Sequence, residues 1–184
     1  MSSCGISSGI NINCSDLKRV GGVNKRAWLF NISDLLDAKY TIDGSGYVTA
    51  INFTTYAGLY AFTGKKKSHS GGYQMIKQQP GGTTFFQHNV LMKLFPDTAA
   101  EDLIMENLAV SELGIILETN NEEFFLYGAY NGMEQIDGTQ DSGQETATDT
   151  SDSLTFQGEE KKKPLRILST DYATTKALLE AYEV

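Results

Sequence analysis

The chain reads as a mainly β protein, a β-sandwich or barrel of about 7–9 strands with one packed α-helix. Three observations predict this. Its 184 residues include 18 glycines but only 3 prolines, a balance that suits many turns. Short aromatic and β-branched runs recur between turn signals. Only residues 97–113 combine a capping residue, an apolar stripe at helical spacing and a terminal glycine over more than three turns. One domain over 1–184 suffices to bury a core.

Residues 1–26 carry Gly5, Gly9, Gly21 and Gly22 among scattered Ile and Val, and read as an N-terminal arm. A first strand is expected from Ala27 through Trp28 and Phe30 to Ile32, then a single helical turn capped by Ser33. Asp43-Gly44-Ser45-Gly46 separates two alternating runs and is a hairpin turn. Although glycine-rich, it lacks the spacing of a phosphate-binding loop, and no helix follows it. Tyr47, Thr49, Ile51 and Phe53 then alternate with Val48, Ala50 and Asn52, as in a sheet packed on one face. The aromatic run 53–62 continues as a strand arm.

Residues 64–87 contain two Gly-Gly pairs, Pro80 and few large aliphatic side chains, and read as a long polar loop. Connections in compact domains are typically about 4–6 residues, so a loop of this length implies disorder or a role outside its own domain. Its candidate contact residues are Lys65, Lys66, Lys67, His69, Tyr73 and Lys77. The return strand is 85–95, closed by Pro96. Asp97 is the expected cap of the helix, Glu101 and Asp102 suit its positive N-terminal end, and Gly114 is the expected stop. Ala100, Leu103, Ile104, Leu108 and Val110 form its apolar stripe.

A hairpin follows, with Asn120-Asn121 at its turn. Its second strand, 122–130, is apolar on both faces and should be buried twice, the second time by a neighbouring subunit. The segment 133–160 holds eight acids (Glu134, Asp137, Asp141, Glu145, Asp149, Asp152, Glu159, Glu160) and no Lys or Arg, and accounts for the whole net charge of −8. It is expected to be a solvated loop up to Ser153, with a short strand from Leu154 to Gln157. Glu159-Glu160 against Lys161-Lys162-Lys163 marks a loop tip or subunit contact, 165–168 a last strand, and Thr170-Asp171 caps a short C-terminal helix within 171–184.

No apolar run approaches the roughly 20 residues of a membrane span, and no secretory signal is visible. Cys4 and Cys14 read as ordinary thiols, with a disulfide as the alternative. His69 and His88 have no carboxylate or thiol cluster near them in sequence, so neither a triad nor a zinc site assembles. The acids near Asp149 lack the ladder of a calcium loop. No catalytic, cofactor or metal site is expected.

The order strand, long polar loop, strand, capped helix, β-hairpin, acidic Gly/Thr/Ser-rich connection and strand resembles the tail tube proteins of long-tailed bacteriophages. It also resembles the related tube proteins of contractile injection systems. The stretches Tyr127-Gly-Ala-Tyr-Asn-Gly and Ser153-Leu-Thr-Phe-Gln-Gly-Glu-Glu carry the likeness further, over about residues 27–170. The resemblance implies a structural, non-enzymatic virion protein made in the bacterial cytoplasm, whose hexameric rings stack into a tube conducting DNA during ejection. Its partners would be itself, other tail proteins and DNA that passes without being bound, with no membrane. The loop 64–87 would stack rings, and Glu134, Asp137, Asp141, Glu145, Asp149 and Asp152 would line the lumen or rim. Another virion ring, terminator or connector protein, or a monomeric β-sandwich binding module, are the alternatives.

Overall fold

The computed structural model describes residues 21–55, 57–78, 82–141 and 150–184. Most of the N-terminal arm, Cys4, Cys14, Glu145 and Asp149 lie outside the described residues. In chain order the elements are β1 (Val23–Asn31), a 3-10 turn (Ile32–Asp34), β2 (Leu35–Ile42), β3 (Val48–Phe53), β4 (Tyr60–Thr63), β5 (His69–Lys77) and β6 (Thr84–Leu94). Then come α1 (Ala99–Leu108), β7 (Leu113–Thr119), β8 (Phe124–Tyr127), β9 (Glu134–Asp141), β10 (Ser151–Glu160), β11 (Leu165–Ile167) and α2 (Tyr172–Ala181). Seven strands form one sheet in the order β2-β3-β11-β8-β7-β1-β4, and four form another in the order β5-β6-β10-β9. The chain is thus mainly β with a mid-chain and a C-terminal helix, as its sequence predicts.

Two cores flank the larger sheet. Ala27 and Leu29 of β1 and Ile115 and Leu117 of β7 meet Val90, Met92, Leu154 and Phe156 of the smaller sheet. The alternate residues Trp28, Phe30 and Ile116 point the other way, into a second core with Val48, Phe124, Ile167 and Leu179 of α2. Successive side chains on a strand face opposite sides, so a run such as Ala27-Trp28-Leu29-Phe30, buried throughout, needs a layer on each face. β8 follows the same rule. Its second cover is α2, whose Tyr172 stacks on Phe124 with ring centroids 5.5 Å apart, and not a neighbouring subunit. Among the described residues, the smaller sheet is covered on one face only.

α2 is tied down by Glu118 at the end of β7, which accepts a 2.6 Å hydrogen bond from the Tyr172 hydroxyl and pairs with Lys176 at 3.4 Å. The Trp28 indole N–H donates to Glu183 at 2.7 Å, and Arg26 forms an ion pair with the same carboxylate.

Several boundaries differ from the sequence reading. Residues 53–62 are not one strand: β3 ends at Phe53, and β4 begins at Tyr60 on the opposite edge of the sheet. Ser33 lies within a 3-10 turn and caps nothing. Val48 and Ile51 are both buried, because the β2–β3 ladder carries register shifts that break simple alternation. The Asp43 turn is as expected, its Oδ1 accepting from the N–H groups of Ser45 and Tyr47. At the Asn120-Asn121 turn the positive φ of 62° falls on Glu122 instead of either asparagine.

The helix is shorter than 97–113. Thr98, not Asp97, is its cap, in a capping box with Glu101. Gly114 is not a helix stop but a β7 residue whose missing side chain makes room for the Phe30 ring. The apolar stripe is largely uncovered: Leu108 is buried, yet Leu103, Ile104 and Val110 are 57%, 47% and 86% exposed.

The largest correction concerns 64–87. β5 and β6 pair without a shift from His69↔Met92 to Lys77↔Thr84, so nine residues of the expected loop form a strand and 84–87 begin the next one. Gly71 and Gly72 supply no loop flexibility. A Cβ on Gly71 would lie 2.6 Å from Leu117 Cδ1 and 2.8 Å from the Tyr127 ring, while one on Gly72 would meet nothing. Gly71→Val should therefore cost about 1–3 kcal/mol by overpacking, measured by urea unfolding. Gly72→Val should unfold at the wild-type midpoint or above it.

Candidate functional site

The smaller sheet concentrates the chain's unsatisfied surface. In a register pair the two side chains share a face, so the ladders sort its residues. His88, Val90, Met92, Leu154 and Phe156 point into the core. On the opposite face stand Ser70, Gly72 and Gln74 of β5, Gln87, Asn89, Leu91 and Lys93 of β6, Thr155, Gln157 and Glu159 of β10, and Glu134, Asp137, Thr139 and Asp141 of β9. That face carries four carboxylates against one lysine, and no described element covers it. The extra residue of the β9 bulge is Ile136, 57% exposed.

Both edges of this sheet, β5 and β9, lack a strand partner among the described residues. The hydrogen-bond phase along β5 follows from its two ends. Lys93 N–H donates to Ser68 O and Gln78 N–H donates to Thr83 O, each at 2.9 Å. His69, Gly71, Tyr73, Met75 and Lys77 are then the non-hydrogen-bonded positions, whose N–H and C=O groups point away from β6. An added strand would pair with these groups.

The six residues expected in a stacking loop are separated. Lys65, Lys66 and Lys67 form the turn before β5, with Lys67 at φ 67° and Lys65 Nζ 4.5 Å from the Phe95 ring centroid. Lys77 sits at the far end of the strand, beside the hairpin turn. His69 is no surface residue: it is 4% exposed, with Nε2 3.0 Å from the Lys25 carbonyl. Tyr73 is 48% exposed and packs edge-on against Phe86.

Of the six acids expected on one surface, Glu134, Asp137 and Asp141 share the open face, and the sequence reading missed that Glu159 joins them. Asp152 does not. Its register partners, Leu94 and Gln140, place it on the core side, where Oδ1 is buried without a partner. Burial, with the Asp102 carboxylate nearby, raises its pKa. The acidic segment expected as a solvated loop is thus largely two paired strands. Period-two alternation of Ser153, Thr155 and Gln157 with Leu154 and Phe156 was the available signal for β10.

Behind the sheet, a buried polar cluster holds the 128–132 turn. Glu160, 2% exposed, accepts from the backbone N–H groups of Tyr130 at 2.8 Å and Asn131 at 2.9 Å. Gly128 N–H donates to His88 Nδ1 at 3.1 Å, so Nε2 carries the ring hydrogen and donates to Lys162 O at 3.0 Å. Tyr40 donates to Ala129 O and Lys39 to Tyr130 O, both at 2.6 Å. Burial, reinforced by Glu160, pushes the Tyr40 hydroxyl far up and keeps it a donor. Both nitrogens of His88 are engaged with backbone, which suits a structural role better than proton transfer. Among the described residues no group of three or more His, Cys, Asp or Glu could hold a metal ion, and no helix is long and apolar enough to cross a membrane.

Comparison of the chain with family models, curated proteins and solved structures finds no match.

Burial holds both His69 and His88 below the usual imidazole range, against hydrogen bonds that act the other way. A folded-state pKa below the unfolded one means that the unfolded chain binds more protons as pH falls. This stability is complete above the unfolded value of about 6.5 and is lost as pH drops from there toward the folded values. Urea midpoints should fall between pH 7.5 and pH 5.5. Since these are the chain's 2 histidines, His69→Asn/His88→Asn should flatten that dependence, though at lower overall stability.

Proposed function

We propose that the chain is a structural subunit that joins copies of itself edge to edge through its four-stranded sheet, closing a ring. Such rings would stack as the tail tube of a long-tailed bacteriophage. One observation carries this reading: among the described residues, the sheet is buried on one face, polar on the other and open along both edge strands. Long open edges invite uncontrolled pairing, and closure into a barrel removes them. Identical subunits joined head to tail by the same rotation close into such a ring.

The open face then lines the lumen. Glu134, Asp137, Asp141 and Glu159 against Lys93 give it a charge that repels phosphate, and apart from Leu91 and Gly72 the rest is Ser, Thr, Asn and Gln. A conduit for DNA requires such a surface, since a basic lumen would hold the polymer it must release.

Two experiments test the reading. Tyr73→Pro removes an N–H that points away from β6, so the monomer should keep its fold but lose rings in negative-stain images and sedimentation. Gln74→Pro, one residue on, should instead damage the β5–β6 ladder and the fold. Rings that persist in a folded Tyr73→Pro variant would sink the edge-pairing assignment. Secondly, wild-type assemblies should not retain double-stranded DNA at low salt. Glu134→Lys/Asp137→Lys/Asp141→Lys assemblies should retain it, with affinity falling steeply as salt rises.

A further inference from the structure

Two uncovered apolar surfaces lie at opposite ends of β6. At its start, the β5–β6 hairpin extends past its neighbour: β10 pairs only as far as Phe86, the register partner of Met75, leaving Ile76, Lys77, Thr84 and Phe85 beyond that last pair. Met75 there is 62% exposed. At the other end, past Leu94, a cleft of about 770 Å³ opens between α1 and β4. Its walls include Tyr60 and Phe62 of β4, Phe95, and Ile104, Met105 and Val110 on and after the helix. Tyr60 is 45% exposed, Ile104 47% and Val110 86%. Among the described residues β4 is also an edge strand, which places its outer backbone edge beside the cleft's apolar wall.

We propose that this cleft is the acceptor for the β5–β6 hairpin end of a second copy of the chain. This proposal rests on the ring-and-stack reading and names the surface on which one ring receives the next. Three features favour this occupant. The two surfaces are separated by the length of β6, about 33 Å at roughly 3.3 Å per residue, so they cannot meet within one molecule. A protruding patch and a receptive cleft at opposite ends of one subunit form a heterologous contact, which propagates along an axis instead of closing on itself. Charge also matches. Glu101 lines the cleft on α1, which contains no basic residue, and the hairpin brings Lys77 beside Met75. Lys65 Nζ lies over the ring of Phe95, which lines the cleft. Cleft linings that bind small molecules usually add a few converging polar groups, and the side chains gathered here are chiefly apolar.

Cysteine pairing tests the contact in the full chain, with Cys4→Ser and Cys14→Ser as background. Met75→Cys and Val110→Cys both change exposed side chains and leave the core untouched. After assembly and mild oxidation, a mixture of the two single variants should give a disulfide-linked pair, and the doubly substituted chain a ladder of covalent oligomers. Neither single variant alone should cross-link. A companion pair separates this contact from ring closure: Met75→Asp and Ile104→Asp should each leave single rings and abolish stacking. Mixing the two ring populations should yield two-ring particles and nothing longer. Stacking that survives both substitutions, with no mixed disulfide, overturns the acceptor assignment while leaving edge-to-edge rings standing. Wild-type chains that stay monomeric at every concentration overturn both.

Discussion

Strands buried on both faces govern this architecture. In β1, Ala27 and Leu29 face one core while Trp28 and Phe30 face the other, and Ile115, Ile116 and Leu117 of β7 repeat the arrangement. Such strands cannot lie at a protein surface without exposing several large apolar side chains, each worth about 1.5–3 kcal/mol when buried. Two layers must therefore form, and the chain supplies them asymmetrically. The four-stranded sheet covers one face of the larger sheet, and α2 with the 3-10 turn and its neighbouring loops covers the other.

Among the described residues, the asymmetry leaves the smaller sheet with a free face. It has done its packing work once its inner side chains meet β1 and β7, and nothing in the fold requires a further layer. Its outer face can then be polar and acidic without cost to the core. The buried Glu160 and His88 are part of the same economy of space. They accept from backbone N–H groups of the 128–132 turn that would otherwise be buried without partners.

The helix α1 illustrates how an amphipathic pattern can mislead about burial. Leu103, Ile104 and Val110 have the spacing of a core-facing stripe, yet only Leu108 is buried, with Met105 packed against the core. A helix stripe predicts that a partner is wanted, and it does not say whether that partner belongs to the same chain. β8 is the reverse case. Its two apolar faces suggested an external partner, and α2 of the same chain supplies the cover. In both places local periodicity identified the surface correctly and misassigned its neighbour.

Read alone, the sequence determined the mainly β class, the Asp43 and Asn120 turns, the strand entering Pro96, the presence of both helices and Asp171 as the cap of the second. These depend on contacts within a few residues, on capping and turn chemistry and on side-chain period. Only the tertiary structure decided that 69–77 is a strand, because its side chains are mostly exposed and its order comes from β6, not from its own composition. The acidic run is the same case. Glu134, Asp137 and Asp141 reach one face and Asp152 the other through a register set by β10 and interrupted by a bulge at Ile136. A bulge of one residue reverses every later side chain, and no local signal in an acidic, glycine-bearing strand fixes where it falls.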